Sequence, residues 1–177
     1  MRLFFLLLIA FSITSSLFAS EPSPEELKSL KANLVRALDD SKLTDQLYSS
    51  LQNRKSENPL LLACIGTLEA LKAKHAWNPY NKFKFAGLSQ QTLTKAVLKA
   101  PDNLEIRFMR FSIQHFLPSF LGFSKNLDED KKMILKQLHQ KKGLEQHDEQ
   151  LISGVAKFMI ESKRCTPQEV SFLKRFV

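Results

Sequence analysis

Residues 59–77 read PLLLACIGTLEALKAKHAW, and this stretch decides the fold class. Its apolar side chains recur every three or four residues and His75 continues the same stripe, whose members are Leu61, Cys64, Ile65, Leu68 and Leu71. That spacing is typical of one face of an α-helix, whereas a half-buried strand would alternate apolar and polar residues. Asn78-Pro79 breaks the segment, because a residue before proline is disfavoured in helical backbone. The stretch therefore predicts a helix from Pro59 to about Trp77.

Helical patterns of the same kind fill the rest of the chain. Ser23-Pro24-Glu25-Glu26 and Thr166-Pro167-Gln168-Glu169 open the first and last helices, each with a capping residue followed by proline. Other helices are predicted from Tyr80 to Lys99, from Leu104 to Phe116, after Asn126 and from Leu144 to Ile160, with a short one at Leu43 to Leu51. Only five glycines are present, too few for the many turns of a β-sandwich. We predict an all-α fold of antiparallel hairpins with about seven helices.

The N-terminus has the layout of a secretory signal peptide. Arg2 precedes an apolar run from Leu3 to Ile13, and the small residue Ala19 comes just before Ser20. The alternative is a buried N-terminal helix. Such a helix needs a polar outer face, and Ser12 alone cannot supply one to this run. We expect cleavage after Ala19, which leaves one helical domain, residues 20–177, in the periplasm or outside the cell. No later run approaches the roughly 18 apolar residues of a membrane span, so no transmembrane span is expected in the mature chain.

One junction resembles a known repeat. The segment Ala96-Val97-Leu98-Lys99-Ala100-Pro101-Asp102-Asn103 is similar to the end of the second helix of a tetratricopeptide repeat, where a small residue five places before proline lets two helices pack closely. Residues 69–80, 107–110 and 117–122 look like a group of exported bacterial proteins with a degenerate tetratricopeptide-like domain, which would cover roughly 55–140. The resemblance implies a helical scaffold with a protein or peptide partner, and it implies no catalytic residue.

The sequence offers little for catalysis or for a metal. The four histidines form no His-x-x-x-His pair, and no phosphate-binding glycine loop or nucleophile motif is present. The run Asp128-Glu129-Asp130 is explained by its place at a helix start, where acidic side chains are favoured. We expect no catalytic site, no metal site and no cofactor, and hence not an enzyme.

Cys64 and Cys165 are the two cysteines. Export makes a disulfide between them chemically permissible, but the sequence gives no distance between the two residues. Cys64 lies in an apolar run, which favours a small buried hydrophobe with an inert thiol. We therefore favour two free cysteines over a bridge.

Positive charge is concentrated in the middle of the chain. Residues 70–101 contain six lysines and no acidic residue, and the stretch to residue 127 adds three basic and two acidic residues. Such a region raises the local concentration of anionic partners. The candidate partner-binding residues are Trp77, Tyr80, Lys82, Lys84, Lys95, Lys99, Arg107 and Arg110.

Two of these candidates have competing interpretations. Trp77 either plugs the corner between two helices, which we favour, or faces a ligand together with Tyr80. Arg107 and Arg110 form a narrow polar row with Asn103 and Gln114 on a mostly apolar helix. These arginines either line an open groove or pair with carboxylates of a neighbouring helix.

The first expectation for function is binding of a protein or peptide partner through this basic, aromatic-flanked face. The alternative is peripheral binding to an anionic envelope surface such as acidic lipid or polymer. Nucleic acid is not expected as a partner, because export removes the usual targets.

Overall fold

The computed structural model describes residues 21–54, 57–140, 144 and 148–177, and these residues contain α-helices and short 3₁₀ turns but no strand. The helices are α1 (Pro24–Ala37), α2 (Ser41–Leu51), α3 (Pro59–His75), α4 (Pro79–Lys99), α5 (Leu104–Phe116), α6 (Leu127–Gln140), α7 (Glu149–Glu161) and α8 (Pro167–Leu173), with 3₁₀ turns at Ser119–Leu121 and Lys174–Phe176. The all-α prediction is confirmed, with eight helices in the described part instead of about seven. The predicted signal peptide lies outside the described residues.

Side-chain caps explain where several helices begin. Ser23 Oγ accepts a hydrogen bond from Glu26 N at 3.1 Å, as the Ser-Pro-Glu-Glu pattern predicts. At the last helix, Thr166 Oγ1 accepts from Glu169 N while the Glu169 carboxylate accepts from Thr166 N, so the predicted capping box is confirmed. Asn58, Asn78 and Asn103 cap α3, α4 and α5 in the same way.

One predicted boundary is wrong. Helix α7 begins at Glu149 and not at Leu144, because the Asp148 carboxylate accepts a hydrogen bond from Leu151 N at 2.6 Å and caps the helix there. The apolar periodicity from Leu144 onward did not reveal this cap.

Helices α3 and α4 form a tight antiparallel hairpin. At Gly66 the two helices are so close that a Cβ added to Gly66 would lie 2.8 Å from Leu93 Cγ. Ser89 Oγ donates to Gly66 O at 2.7 Å, which joins the helices at the same level. Ala63 and Ala96 are both fully buried where the two helices continue together. Small side chains therefore set the spacing of this hairpin.

Three apolar clusters fill the interior, and α5 connects two of them. The first joins α1, α2 and α3 through Leu34, Leu51 and Leu61, among others. The second joins α3 and α4 to Ile106 of α5. The third packs α5 through Phe111 against α6, α7 and α8. Helix α5 thus lies between the N-terminal hairpins and the C-terminal helices, and it fixes the position of the segment that follows it.

Candidate functional site

The corner between α3 and α4 presents its aromatic residue to solvent. Only residues 76–78 separate the two helices, and the Trp77 side chain at the middle of this turn is 91% exposed. The interpretation of Trp77 as a plug is wrong, because small residues close the hairpin and the short turn carries the indole away from both helices. Tyr80, one turn into α4, is 75% exposed.

Further aromatic side chains extend this exposed region. Phe83 lies three residues after Tyr80, on the same side of α4, and its ring contacts Phe123 with the centroids 6.5 Å apart. Phe120 lies in the 3₁₀ turn just before Phe123 and is 86% exposed. We call this group the aromatic surface; it consists of Trp77, Tyr80, Phe83, Phe120 and Phe123.

Half of the lysines in the acid-free stretch have acidic partners from earlier parts of the chain. Lys72 pairs with Asp45 at 2.6 Å, Lys74 pairs with Asp39 at 3.2 Å, and Lys99 pairs with Glu57. The basic stretch of sequence is therefore partly neutralised in the fold. Such exposed pairs contribute little to stability and open readily.

The other three lysines of the stretch lie on α4. Lys82 and Lys84 are exposed on the first turns of α4, beside the aromatic surface. The Lys84 ammonium lies over the Phe85 ring, 5.6 Å from its centroid. Lys95 lies farther along the helix, in the wall of a groove.

That groove lies between α4 and the segment that follows α5. It is open to solvent and has a volume of about 520 Å³. One wall is formed by Gly87, Gln90, Gln91, Thr94 and Lys95, and the other by Gly122, Phe123, Lys125 and Asn126. We call it the α4 groove. Phe123 belongs both to the α4 groove and to the aromatic surface, so the two regions are continuous.

Hydrogen bonds fix the second wall of the α4 groove. The fully buried Gln114 donates from Nε2 to Gln90 Oε1 at 2.6 Å and accepts at Oε1 from Asn126 N at 2.9 Å. Ser124 Oγ donates to the backbone oxygens of Gln114 and Leu117, both at 3.1 Å. The segment after α5 is therefore tied to the end of α5 and to α4.

Arg107 and Arg110 do not line the groove. Their side chains are buried and converge on Asp130, which is 0% exposed. Arg110 Nε donates to Asp130 Oδ2 and Arg110 Nη2 to Oδ1, both at 2.7 Å, and Arg107 Nη1 donates to Oδ1 at 2.8 Å. Of the two interpretations for these arginines, pairing with a neighbouring helix is the one observed, so both are removed from the candidate binding face.

The rest of the predicted polar row serves the same internal purpose. Asn103 caps α5, and Gln114 holds the groove wall. Glu129 accepts from Arg107 Nη1 at 2.5 Å, and this hydrogen bond lowers the pKa of Glu129. The acidic run at the start of α6 thus supplies ion-pair partners for α5, of which Asp130 is buried, as well as favourable charges for the helix end.

Glu69 is a buried carboxylate on the α3 side of α4. Burial raises the pKa of Glu69, opposed by a hydrogen bond with Thr92 and by the charge of Lys95. Its Oε2 atom has no hydrogen-bond partner among the described residues. The ionised form of this carboxylate is therefore destabilised in the folded protein.

Glu69→Gln is expected to raise the free energy of unfolding at neutral pH. Because the pKa of Glu69 is raised above 4.5 in the folded protein, the folded state binds this proton more tightly than the unfolded chain. Wild-type stability should therefore fall as pH rises from 4.5 through the folded pKa, and the variant should lack this fall. Urea denaturation over this pH range measures it. Glu161→Gln, at an exposed position, should keep the wild-type dependence of stability on pH. The same wild-type dependence in Glu69→Gln would contradict the prediction.

The cysteines and histidines have structural surroundings. Cys64 and Cys165 are free thiols, and burial raises the pKa of Cys64 to about 12, so the thiol is inert. His75 Nε2 lies 3.0 Å from Ala37 O, as expected for a hydrogen-bonded core histidine. His139 is exposed and stacks on Phe172 with the ring centroids 3.6 Å apart.

The structure also brings to the candidate site residues that the sequence patterns do not predict. Gln90, Phe120, Phe123 and Asn126 belong to the groove or the aromatic surface, yet none stands out by spacing. Lys125 contributes to the basic stretch but is not among the predicted binding residues. Only the tertiary structure identifies these residues, because the segment after α5 has no periodicity that links it to α4.

No family model, curated protein or solved structure matches the chain, so its function is inferred from the geometry above. Within the described ranges, no helix combines the length and apolar character needed to cross a membrane.

Proposed function

We propose that this protein is an exported, non-enzymatic helical scaffold that binds another protein through the aromatic surface and the lysines beside it. The observation that carries the proposal is the exposure of Trp77, Tyr80 and Phe120, each at least three-quarters accessible. Export follows from the signal-peptide pattern at the N-terminus.

Large exposed aromatic groups are costly to leave in water. Monomeric proteins rarely expose a contiguous apolar patch beyond a few hundred Å², and larger patches commonly mark interaction sites. Tryptophan and tyrosine are also enriched among the residues that dominate binding energy, because each buries a large area with few rotatable bonds. The contact between Phe83 and Phe123 holds part of the surface in place before binding, which lowers the entropy cost of association.

Trp77→Ala is expected to weaken partner binding about tenfold or more while changing the free energy of unfolding by less than about 0.5 kcal/mol. The indole makes a large contact in a complex but is almost fully solvated in the free protein. Affinity capture from envelope extracts, followed by titration of the recovered partner, measures binding, and thermal melts measure stability.

Leu98→Ala is the matched control, because Leu98 is a large apolar residue that is 75% exposed near the C-terminal end of α4, far along the helix from Trp77. It should bind like wild type. If both variants recover the same partners with wild-type affinity, the aromatic surface is not the binding site.

A second candidate function is adhesion to an anionic envelope surface. It is favoured by the protruding Trp77 beside Lys82 and Lys84, since interfacial proteins combine aromatic anchors with lysines that attract acidic headgroups. Sedimentation with vesicles of phosphatidylglycerol tests it. Vesicle binding that occurs without a partner protein and disappears at high salt would favour this candidate over the scaffold.

A further inference from the structure

We propose that the α4 groove receives an acidic segment of the partner protein, with a carboxylate between Lys95 and Lys125 and an apolar side chain against Phe123. This inference rests on the proposed function and names the chemistry of the partner. It concerns a region next to the aromatic surface, so the two can be tested separately.

The charges of the groove favour a carboxylate. Lys95 and Lys125 lie in opposite walls, both exposed, and no lining residue is acidic. Glu129 already accepts from Arg107 and Asn126. Glu69 is buried, and burial raises its pKa while the charge of Lys95 lowers it. The groove is therefore a concave region of positive potential, which attracts anionic groups.

The hydrogen-bonding groups of the groove complement the same ligand. Gln90 Oε1 and Asn126 Oδ1 accept from Gln114 Nε2, at 2.6 and 3.3 Å, so these acceptors are already used. Gln90 Nε2 is buried and has no acceptor among the described residues, so the donors that a ligand can reach are the exposed ammonium groups of Lys95 and Lys125. Donors in excess of acceptors fit a carboxylate, which only accepts hydrogen bonds.

The shape of the groove favours a passing chain over an enclosed small molecule. It is open to solvent and not an enclosed cavity, and its walls belong to a long helix and to a segment held by Gln114 and Ser124. Fixed walls of this kind reduce the ordering cost of binding. Phe123 supplies an apolar contact that leads from the groove to Phe83 and the aromatic surface. An extended acidic segment can follow this path.

The test is a titration of the mature protein with a short peptide of alternating glutamate and phenylalanine, followed by nitrogen–proton correlation NMR. A glutamine–phenylalanine peptide of equal length is the neutral control. We expect shifts at the Gln90 side-chain amide and at backbone amides of residues 122–126, with the acidic peptide only. We expect Lys95→Gln/Lys125→Gln to bind the acidic peptide about tenfold more weakly, since hydrogen bonds between charged groups are among the stronger ones.

The matched control is Lys157→Gln, which removes an exposed lysine of α7 that does not line the groove and should bind like wild type. Lys125→Gln alone serves as a second variant that leaves the surroundings of Glu69 unchanged. Equal binding of both peptides, shifts confined to Trp77 and Tyr80, or wild-type affinity in the double variant would each overturn the proposal. If the double variant no longer binds phosphatidylglycerol vesicles but still binds the acidic peptide, the two lysines bind a lipid surface, and the proposal is also overturned. None of these outcomes affects the Trp77→Ala capture result, which tests the proposed function by itself.

Discussion

Asp130→Ala is expected to lower the free energy of unfolding by about 3–5 kcal/mol. Asp130 accepts hydrogen bonds from both Arg107 and Arg110 in a buried cluster between α5 and α6. Its removal leaves two guanidinium groups out of water without their shared partner. Glu129 compensates only in part, because its side chain is 53% exposed and reaches Arg110 at 3.4 Å. Chemical denaturation followed by circular dichroism measures the loss.

Asp128→Ala is the control, since it removes an exposed carboxylate from the same first turn of α6 and should cost less than about 1 kcal/mol. The reversal of both arginines to glutamate should prevent folding, because it places several negative charges together in the interior. Replacement of Arg107, Arg110 and Asp130 together by apolar residues should recover most of the loss, since such replacements are often neutral. Wild-type stability of Asp130→Ala would contradict the buried position of this cluster.

Phe111→Ala is expected to cost about 3–5 kcal/mol. Phe111 is fully buried on α5 and packs in the cluster that joins α5 to α6, α7 and α8. Its ring meets Phe158 of α7 at a centroid distance of 6.2 Å in an edge-to-face arrangement. The variant leaves a large cavity at the contact that holds the C-terminal helices on the rest of the protein. Thermal and urea unfolding measure the effect.

Phe120→Ala is the matched control, because it removes the same ring from an exposed position and should change stability by less than about 0.5 kcal/mol. If the two variants lose equal stability, Phe111 does not fill the core as described. If Phe111→Ala unfolds only α7 and α8, the transition should split into two phases.

The helices of this protein were predictable because their causes are local. The spacing of apolar residues in 59–77 and the Ser23 and Thr166 caps act over three or four positions, and each is readable from the chain. His75 was also placed correctly, because it continues an apolar stripe and so must find a partner inside. Where a local cap was overlooked, at Asp148, the predicted start of α7 was wrong.

The candidate site was only partly predictable. Trp77 and Tyr80 were selected at the helix break, but whether the indole plugged the corner or faced solvent depended on the closeness of α3 and α4 at Gly66. The lysines of residues 70–101 were selected as one basic region, yet three of them have partners that lie about 27 to 42 residues earlier in the chain.

The amino-acid sequence by itself determined the all-α fold, most helix boundaries and the concentration of lysines between 70 and 101, because periodicity, capping and composition act along the chain. Tertiary structure alone decided that Arg107 and Arg110 are buried on Asp130, that Trp77 is exposed, and that Lys95 and Lys125 line the same groove. The physical reason is that charge pairing and burial depend on distances between residues remote in sequence, and packing of the helices sets those distances.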